Sequence, residues 1–305
     1  MTSLLEKKFT LDKFDRRKGA FFDQFGWEFM PFAQKDPLPD SELLVPHQKE
    51  EIQGLIDMIK EGDLVSFIVS DIGMGKTTLC RFLEDELPKE SDQDIVTVFL
   101  HGPSIDDKEQ MIRVILEDLE LKAERGNIAM EFDQLRKWHE NYPEFLLSII
   151  IDEFPDIDKD SLEMVRSLVD LKGVVLIVNG QKNNLLDFTE KQAPALYQRK
   201  RHVLELEPME RDEVRELLIY RMAWARGGNY DNRSIEPFTE DAVDAIYKKS
   251  DGVPRKVLKL AGDAIYNAIE KDKTIVDESL VYSQERETSV EGSSRGFWSS
   301  LKFWE

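Results

Sequence analysis

The sequence predicts an α/β chain in which a parallel sheet core is followed by a smaller, purely helical domain. Three observations carry this expectation. Short apolar runs of strand length alternate with stretches of helical period from about His47 to Pro208. Those runs are continuously apolar, which is the pattern of strands covered on both faces. Beyond Pro208 the strand-like runs stop, and the remaining periodic stretches are helical.

In chain order, residues 1–42 mix charge with Phe21, Phe22, Phe25, Trp27, Phe29 and Phe32, and are broken by Pro31, Pro37 and Pro39. This reads as a short helix followed by an extended, proline-rich lead-in. Ile52, Leu55, Ile56 and Ile59 then recur at helical spacing. Strands are predicted over 65–69, 95–100, 146–151, 174–178 and 203–206, with helices near 77–87, 106–124, 129–140, 160–171 and 189–199. The last four helical stretches are 210–226, 239–249, 254–271 and 274–282. The predicted division is a lead-in (1–46), an α/β core (47–208), a helical domain (209–284) and a terminal segment (285–305). In that segment the polar stretch Glu285–Gly296 precedes an aromatic cluster, Phe297–Trp304.

Composition narrows the function classes. The chain has 305 residues, roughly two domains of about 150 residues each. Its hydrophobic share of 41% and aromatic share of 10% exclude a disordered or collagen-like chain. No apolar run approaches the roughly 18 residues that span a bilayer, and the most apolar stretch, Phe145–Ile151, is interrupted by Ser148. The N-terminus, MTSLLEKKFTLDKFDRR, is charged too early for a signal peptide. One cysteine, Cys80, excludes an intrachain disulfide framework and a zinc finger. The expectation is a soluble, cytoplasmic protein with no transmembrane segment. Acidic residues (61) outnumber basic ones (41), for a net charge of −20. A field of that sign repels phosphate backbones, so DNA contact finds no support in net charge and would need a local basic patch. A solvated or salt-adapted surface explains the charge equally well. His47, His101, His139 and His202 lack metal-ligand spacing.

The strongest motif is Ser70-Asp71-Ile72-Gly73-Met74-Gly75-Lys76-Thr77-Thr78, which follows the apolar run VSFIV and opens the stretch TLCRFLEDEL. Gly73 and Gly75 let the backbone turn so that successive N–H groups converge on a phosphate, at the positive end of the following helix. Lys76 supplies a point charge for the β- and γ-oxygens, and the Thr77 hydroxyl suits Mg²⁺. This is the P-loop pattern with Ser70 where the first glycine is expected. The second motif is SIIIDE, Ser148–Glu153, an apolar strand ending in two carboxylates. Beside a P-loop, Asp152 is placed to hold the Mg²⁺ water shell and Glu153 to polarise the attacking water. The expected core is therefore an α/β P-loop NTPase fold with Mg²⁺ as cofactor, and the resemblance these motifs carry to AAA+ ATPases implies ATP as the nucleotide and a small C-terminal helical lid over it.

With their spacing, these motifs resemble the AAA+ branch of P-loop ATPases. The resemblance implies a polar sensor 1 side chain where the strand VVLIV ends, at Asn179, with Gln181 as a rival. It implies a trans-acting arginine finger in Tyr197-Gln198-Arg199-Lys200-Arg201, with Arg199 the first choice and Arg201 the second. Ser250-Asp251-Gly252-Val253-Pro254-Arg255 resembles the G-x-P-R sensor 2 motif, which places Arg255 in the first turn of a lid helix facing the nucleotide. The lead-in Phe25-Gly26-Trp27, Pro31-Phe32 and Leu43–His47 resembles that of ExeA-type, origin-initiator-like and transposition-helper-like ATPases, in which this segment holds the adenine. The likeness covers about residues 25–282. It departs at Ser70, and no helix-turn-helix or winged-helix pattern follows the lid. It implies an oligomeric ATPase that regulates a DNA transaction such as replication, transposition or partition. The alternatives are service to a secretion or envelope assembly, or a non-hydrolysing nucleotide switch.

Two features remain. Cys80 follows the loop on its helix and reads as a buried small residue, since no histidine partner for a nucleophile is evident. In the tail, Phe297, Leu301 and Trp304 fall on one face of a short helix, with Trp298 alongside. Such anchors behind a polar linker suit docking into a groove of another protein, or folding back on the chain's own domain.

Overall fold

The computed structural model describes residues 11–33, 44–45, 47–62, 65–90, 94–123, 127–228 and 230–283. Five parallel strands form one sheet: β1 (Val65–Ser70), β2 (Ile95–His101), β3 (Leu146–Asp152), β4 (Val174–Gln181) and β5 (Lys200–Glu205), in the order β2-β3-β4-β1-β5. Residues of β1, β3 and β4 are buried almost throughout, as their continuous apolar runs require. Alternation then sorts them by face. Ile68, Ile150, Val175 and Ile177 pack with Leu55 and Ile59 of α2 (Lys49–Glu61) and with Leu79 and Leu83 of α3 (Lys76–Glu90). Phe67, Val69, Ile149, Ile151, Leu176 and Val178 face the other layer. That layer comprises α4 (Lys108–Asp118), α5 (Ile128–Asn141), α6 (Lys159–Leu168), α7 (Lys182–Gln192) and α8 (Pro194–Arg199). Asp107 and Asp158 cap α4 and α6 by accepting from backbone N–H groups, which fixes where these helices begin.

Several predicted elements are corrected here. The helix expected over 106–124 ends at Asp118, and the one expected over 160–171 ends at Leu168. The single helix expected over 189–199 is two, because Pro194 has no N–H to continue α7 and instead occupies the first position of α8. The last strand starts at Lys200, three residues before the expected Val203. Val65 pairs with Lys200 and Ser66 with His202, so Arg201 is the extra residue of a bulge.

The helical domain contains α9 (Arg211–Ala225), α10 (Glu240–Ser250), α11 (Pro254–Glu270) and α12 (Glu278–Val281). Its core is not built from these helices alone. Helix α1 (Leu11–Phe25) supplies Phe21 and Phe22, and the chain beyond it adds Trp27, Phe32 and Val45 to the cluster of Leu218, Met222, Ile246, Ala261 and Ile265. Trp27 makes ring contacts with Phe21, Phe22, Phe25 and Phe32 at centroid distances of 5.6–6.5 Å. The first part of the chain, expected as a short helix and an extended lead-in, thus completes the core of the last domain.

Two chain crossings join this domain to the sheet, and they are bonded to each other. His47 Nδ1 lies 2.9 Å from Glu213 Oε2, and His47 Nε2 lies 2.8 Å from the Glu207 carbonyl. The Gln48 side chain donates to the Glu205 carbonyl and accepts from the Glu207 N–H, both at 2.9 Å.

Candidate nucleotide-binding site

The predicted loop and carboxylates meet at the carboxyl edge of the sheet, beside a cavity of about 590 Å³. This is where ligands bind in open parallel sheets. Ser70 ends β1, and the loop turns through Gly73 (φ 85°) and Gly75 (φ 93°) before α3 begins at Lys76. A side chain would be strained at either glycine. Ser70 needs no such freedom, since it is not among the residues with positive φ. Its hydroxyl lies 2.9 Å from Lys76 Nζ, which donates also to the carbonyls of Ser70 (3.3 Å) and Asp71 (3.1 Å). Burial lowers the Lys76 pKa, opposed by the nearby carboxylates of Asp152 and Asp71.

The Thr77 hydroxyl donates to Asp152, 2.9 Å from Oδ2 and 3.2 Å from Oδ1, and Asp152 is buried at the end of β3. This pair of hard oxygen ligands, open to the cavity, fits Mg²⁺ held also by phosphate and water. Next to it, Glu153 occupies the left-handed region (φ 54°). Its N–H donates to Asn179 Oδ1 at 3.2 Å, and Asn179 Nδ2 donates to Cys80 Sγ at 3.0 Å. Burial pushes the Cys80 thiol up to about 12, so it serves as an inert acceptor. Gly102, just after β2, lies under Glu153, where an added Cβ would meet the Glu153 carbonyl oxygen at 2.7 Å.

The lid closes on this loop directly. The Arg255 N–H, in the first turn of α11, donates to the Gly73 carbonyl at 3.1 Å, and Arg255 lines the cavity. Ile72, Met74 and Thr78 line it as well, together with Gly73, Gly75, Lys76 and Thr77. Asp71 is not among the lining residues and contributes its carbonyl to Lys76. Asn179 and Gln181 both line the cavity, but only Asn179 is buried. Arg199 lies elsewhere. It ends α8 at the opposite edge of the sheet and pairs with Asp170 at 2.5 Å. Arg201 is exposed on the neighbouring bulge.

Sequence reasoning missed four contributors: Cys80 as the partner of Asn179, Gly102 beneath Glu153, His101 with Nδ1 3.8 Å from Asp152 Oδ2, and Arg221 in the cavity wall. None carried a local signal: even His101 comes opposite Asp152 only through the register of β2 on β3. Among the described residues no helix is long and apolar enough to cross a membrane, and no cluster of three or more His, Cys, Asp or Glu side chains could hold a metal.

Comparison with known proteins adds independent support. The family described as an AAA domain matches residues 59–188. An uncharacterised HTH-type transcriptional regulator of Methanocaldococcus jannaschii is 30% identical over 143 residues, 46% of this chain and 34% of that protein. The match therefore spans about a third of the length of that curated relative. Among solved structures, the Aeropyrum pernix ORC2 protein in its ADPNP–ADP complexes superposes with a TM-score of 0.63 at 15% identity, over 82% of this chain and 69% of that one. The Aeropyrum pernix ORC1 protein in complex with DNA gives 0.58 at 17% identity, over 80% and 66%.

Proposed function

We propose that this chain, whose residues 59–188 match the AAA domain family and whose fold is that of the Aeropyrum pernix ORC proteins, is an AAA+ P-loop protein of the origin-initiator-like type that binds and hydrolyses ATP between its sheet core and its helical lid. The observation that carries this reading is the contact between Thr77 and the buried Asp152 at the foot of a glycine loop. Lys76 exchanges its bonds to Ser70 and Asp71 for the β- and γ-phosphate oxygens. Thr77 and Asp152 would hold Mg²⁺, which would supply positive charge against the phosphates. Glu153 takes the proton of the attacking water, with its backbone fixed by Asn179. Arg255 answers phosphate charge from the lid side.

The protein acts as a homo-oligomer in which Arg199 completes a neighbour's site, and its process is a regulated DNA transaction. Support for the process comes from the initiator-like fold and from a relative described as a transcriptional regulator. The tail Phe297–Trp304, outside the described residues, is the element offered to a protein partner.

Two variants test the chemistry. Lys76→Ala is expected to abolish ATP binding, because Lys76 contacts phosphate in the ground state. Glu153→Gln is expected to keep ATP affinity and lose turnover by at least about a hundredfold, the usual weight of a general base. Wild-type turnover in Glu153→Gln, measured by phosphate release, removes Glu153 from the mechanism.

A further inference from the structure

The cavity contains a cation that the phosphate chemistry leaves unused. Arg221 stands in α9, one turn after Leu217, and both line the cavity. It is only 7% exposed, and its Nε and Nη1 have no hydrogen-bond partner. The ring of Trp224, with its centroid 5.5 Å from the guanidinium carbon, offers a π-face but no acceptor atom. Burial lowers its pKa to about 10, which still leaves it charged at neutral pH.

A buried charge with idle donors is costly to maintain unless something supplies acceptors. A guanidinium has donors only, so the missing partner must be an acceptor. The phosphate end of the cavity is defined by the loop Gly73–Thr78 with Asp152 and Glu153. The lead-in and the lid add an apolar stretch of wall, with Leu44, Val45, Leu217 and Leu258, where His47 has both ring nitrogens engaged and Arg221 is left with idle donors. An apolar wall with one polar group is how a site grips and orients a flat heterocycle. We propose that Arg221 reads the nucleoside half of the ligand, donating to a ring nitrogen of the base or to a ribose oxygen. This rests on the reading of the cavity as a nucleoside triphosphate site.

The test is titration calorimetry on the full chain with ATP, ribose 5-triphosphate and inorganic tripolyphosphate, alongside thermal melts without ligand. Arg221→Met is expected to weaken ATP by about tenfold or more, the scale of a hydrogen bond to a charged group. It should leave tripolyphosphate unchanged, whereas Lys76→Ala should lose both. If ribose 5-triphosphate loses affinity as ATP does, the acceptor is on the ribose; if it does not, the acceptor is on the base. The melting temperature of ligand-free Arg221→Met should equal or exceed the wild-type value, because an unpaired buried charge has been removed. Arg221→Lys keeps the charge but cannot place donors at both positions, and should show a smaller loss with the same ligand pattern. Unchanged ATP affinity in both variants, or an equal loss for ATP and tripolyphosphate, overturns the proposal. A wild-type protein that binds no ATP overturns the site reading instead.

Discussion

Gly73 carries two constraints at once: a left-handed backbone (φ 85°) and contact with the lid, since an added Cβ would fall 2.9 Å from Arg255 Cβ. Gly73→Ala is therefore expected to destabilise the protein by about 1 kcal/mol or more and to weaken ATP binding, read by a thermal melt and by calorimetry. An unchanged melt and unchanged affinity would mean that loop and lid do not depend on this contact. At this scale the sequence disclosed what is contiguous. The loop Ser70–Thr78 and the pair Asp152-Glu153 each announce their chemistry within a few residues. The bond between Asn179 and Cys80 joins residues 99 apart, and no periodicity reports it. Arg221 looks like any helical arginine until the lid and lead-in bury it.

Strands were legible for a simple reason: β1, β3 and β4 are buried on both faces, so apolarity runs unbroken through them. The edge strand β5 was harder, because Lys200, Arg201 and His202 form its first half and alternate residues face solvent. The helix break at Ala193 and Pro194 is marked in the sequence by the proline alone, with helical periodicity on both sides of it. Helix α1 shows the same limit: its aromatics were evident, yet their partners lie some two hundred residues later. Trp27, 4% exposed, touches four rings of its own segment, Phe21, Phe22, Phe25 and Phe32, inside the core shared with the helical domain. Trp27→Ala should cost about 3 kcal/mol or more of stability in a denaturant titration. A loss below about 1 kcal/mol would show that this end of the chain only rests on the helical domain.

Over the whole molecule, the candidate site and Arg199 sit on opposite edges of the sheet, a strand length or about 20 Å apart. Arg199 therefore cannot reach the site of its own copy, and the proposed function gives it to a neighbouring one. Arg199→Ala is expected to retain ATP affinity and lose turnover, with ATP promoting oligomers in light scattering; a strict monomer with full ATPase activity would sink that assignment. Deleting residues 285–305 should leave the melting temperature and ATPase rate within error of wild type while abolishing partner capture; a clear fall in melting temperature with capture intact favours a tail folded on its own domain. The two crossings at His47–Gln48 and Glu205–Glu213, tied by hydrogen bonds from His47 and Gln48, have a mechanical consequence. A lid on one strap can swing and twist freely, whereas two straps bonded to each other restrict both motions, so the lid is held over Gly73 as well as resting on it.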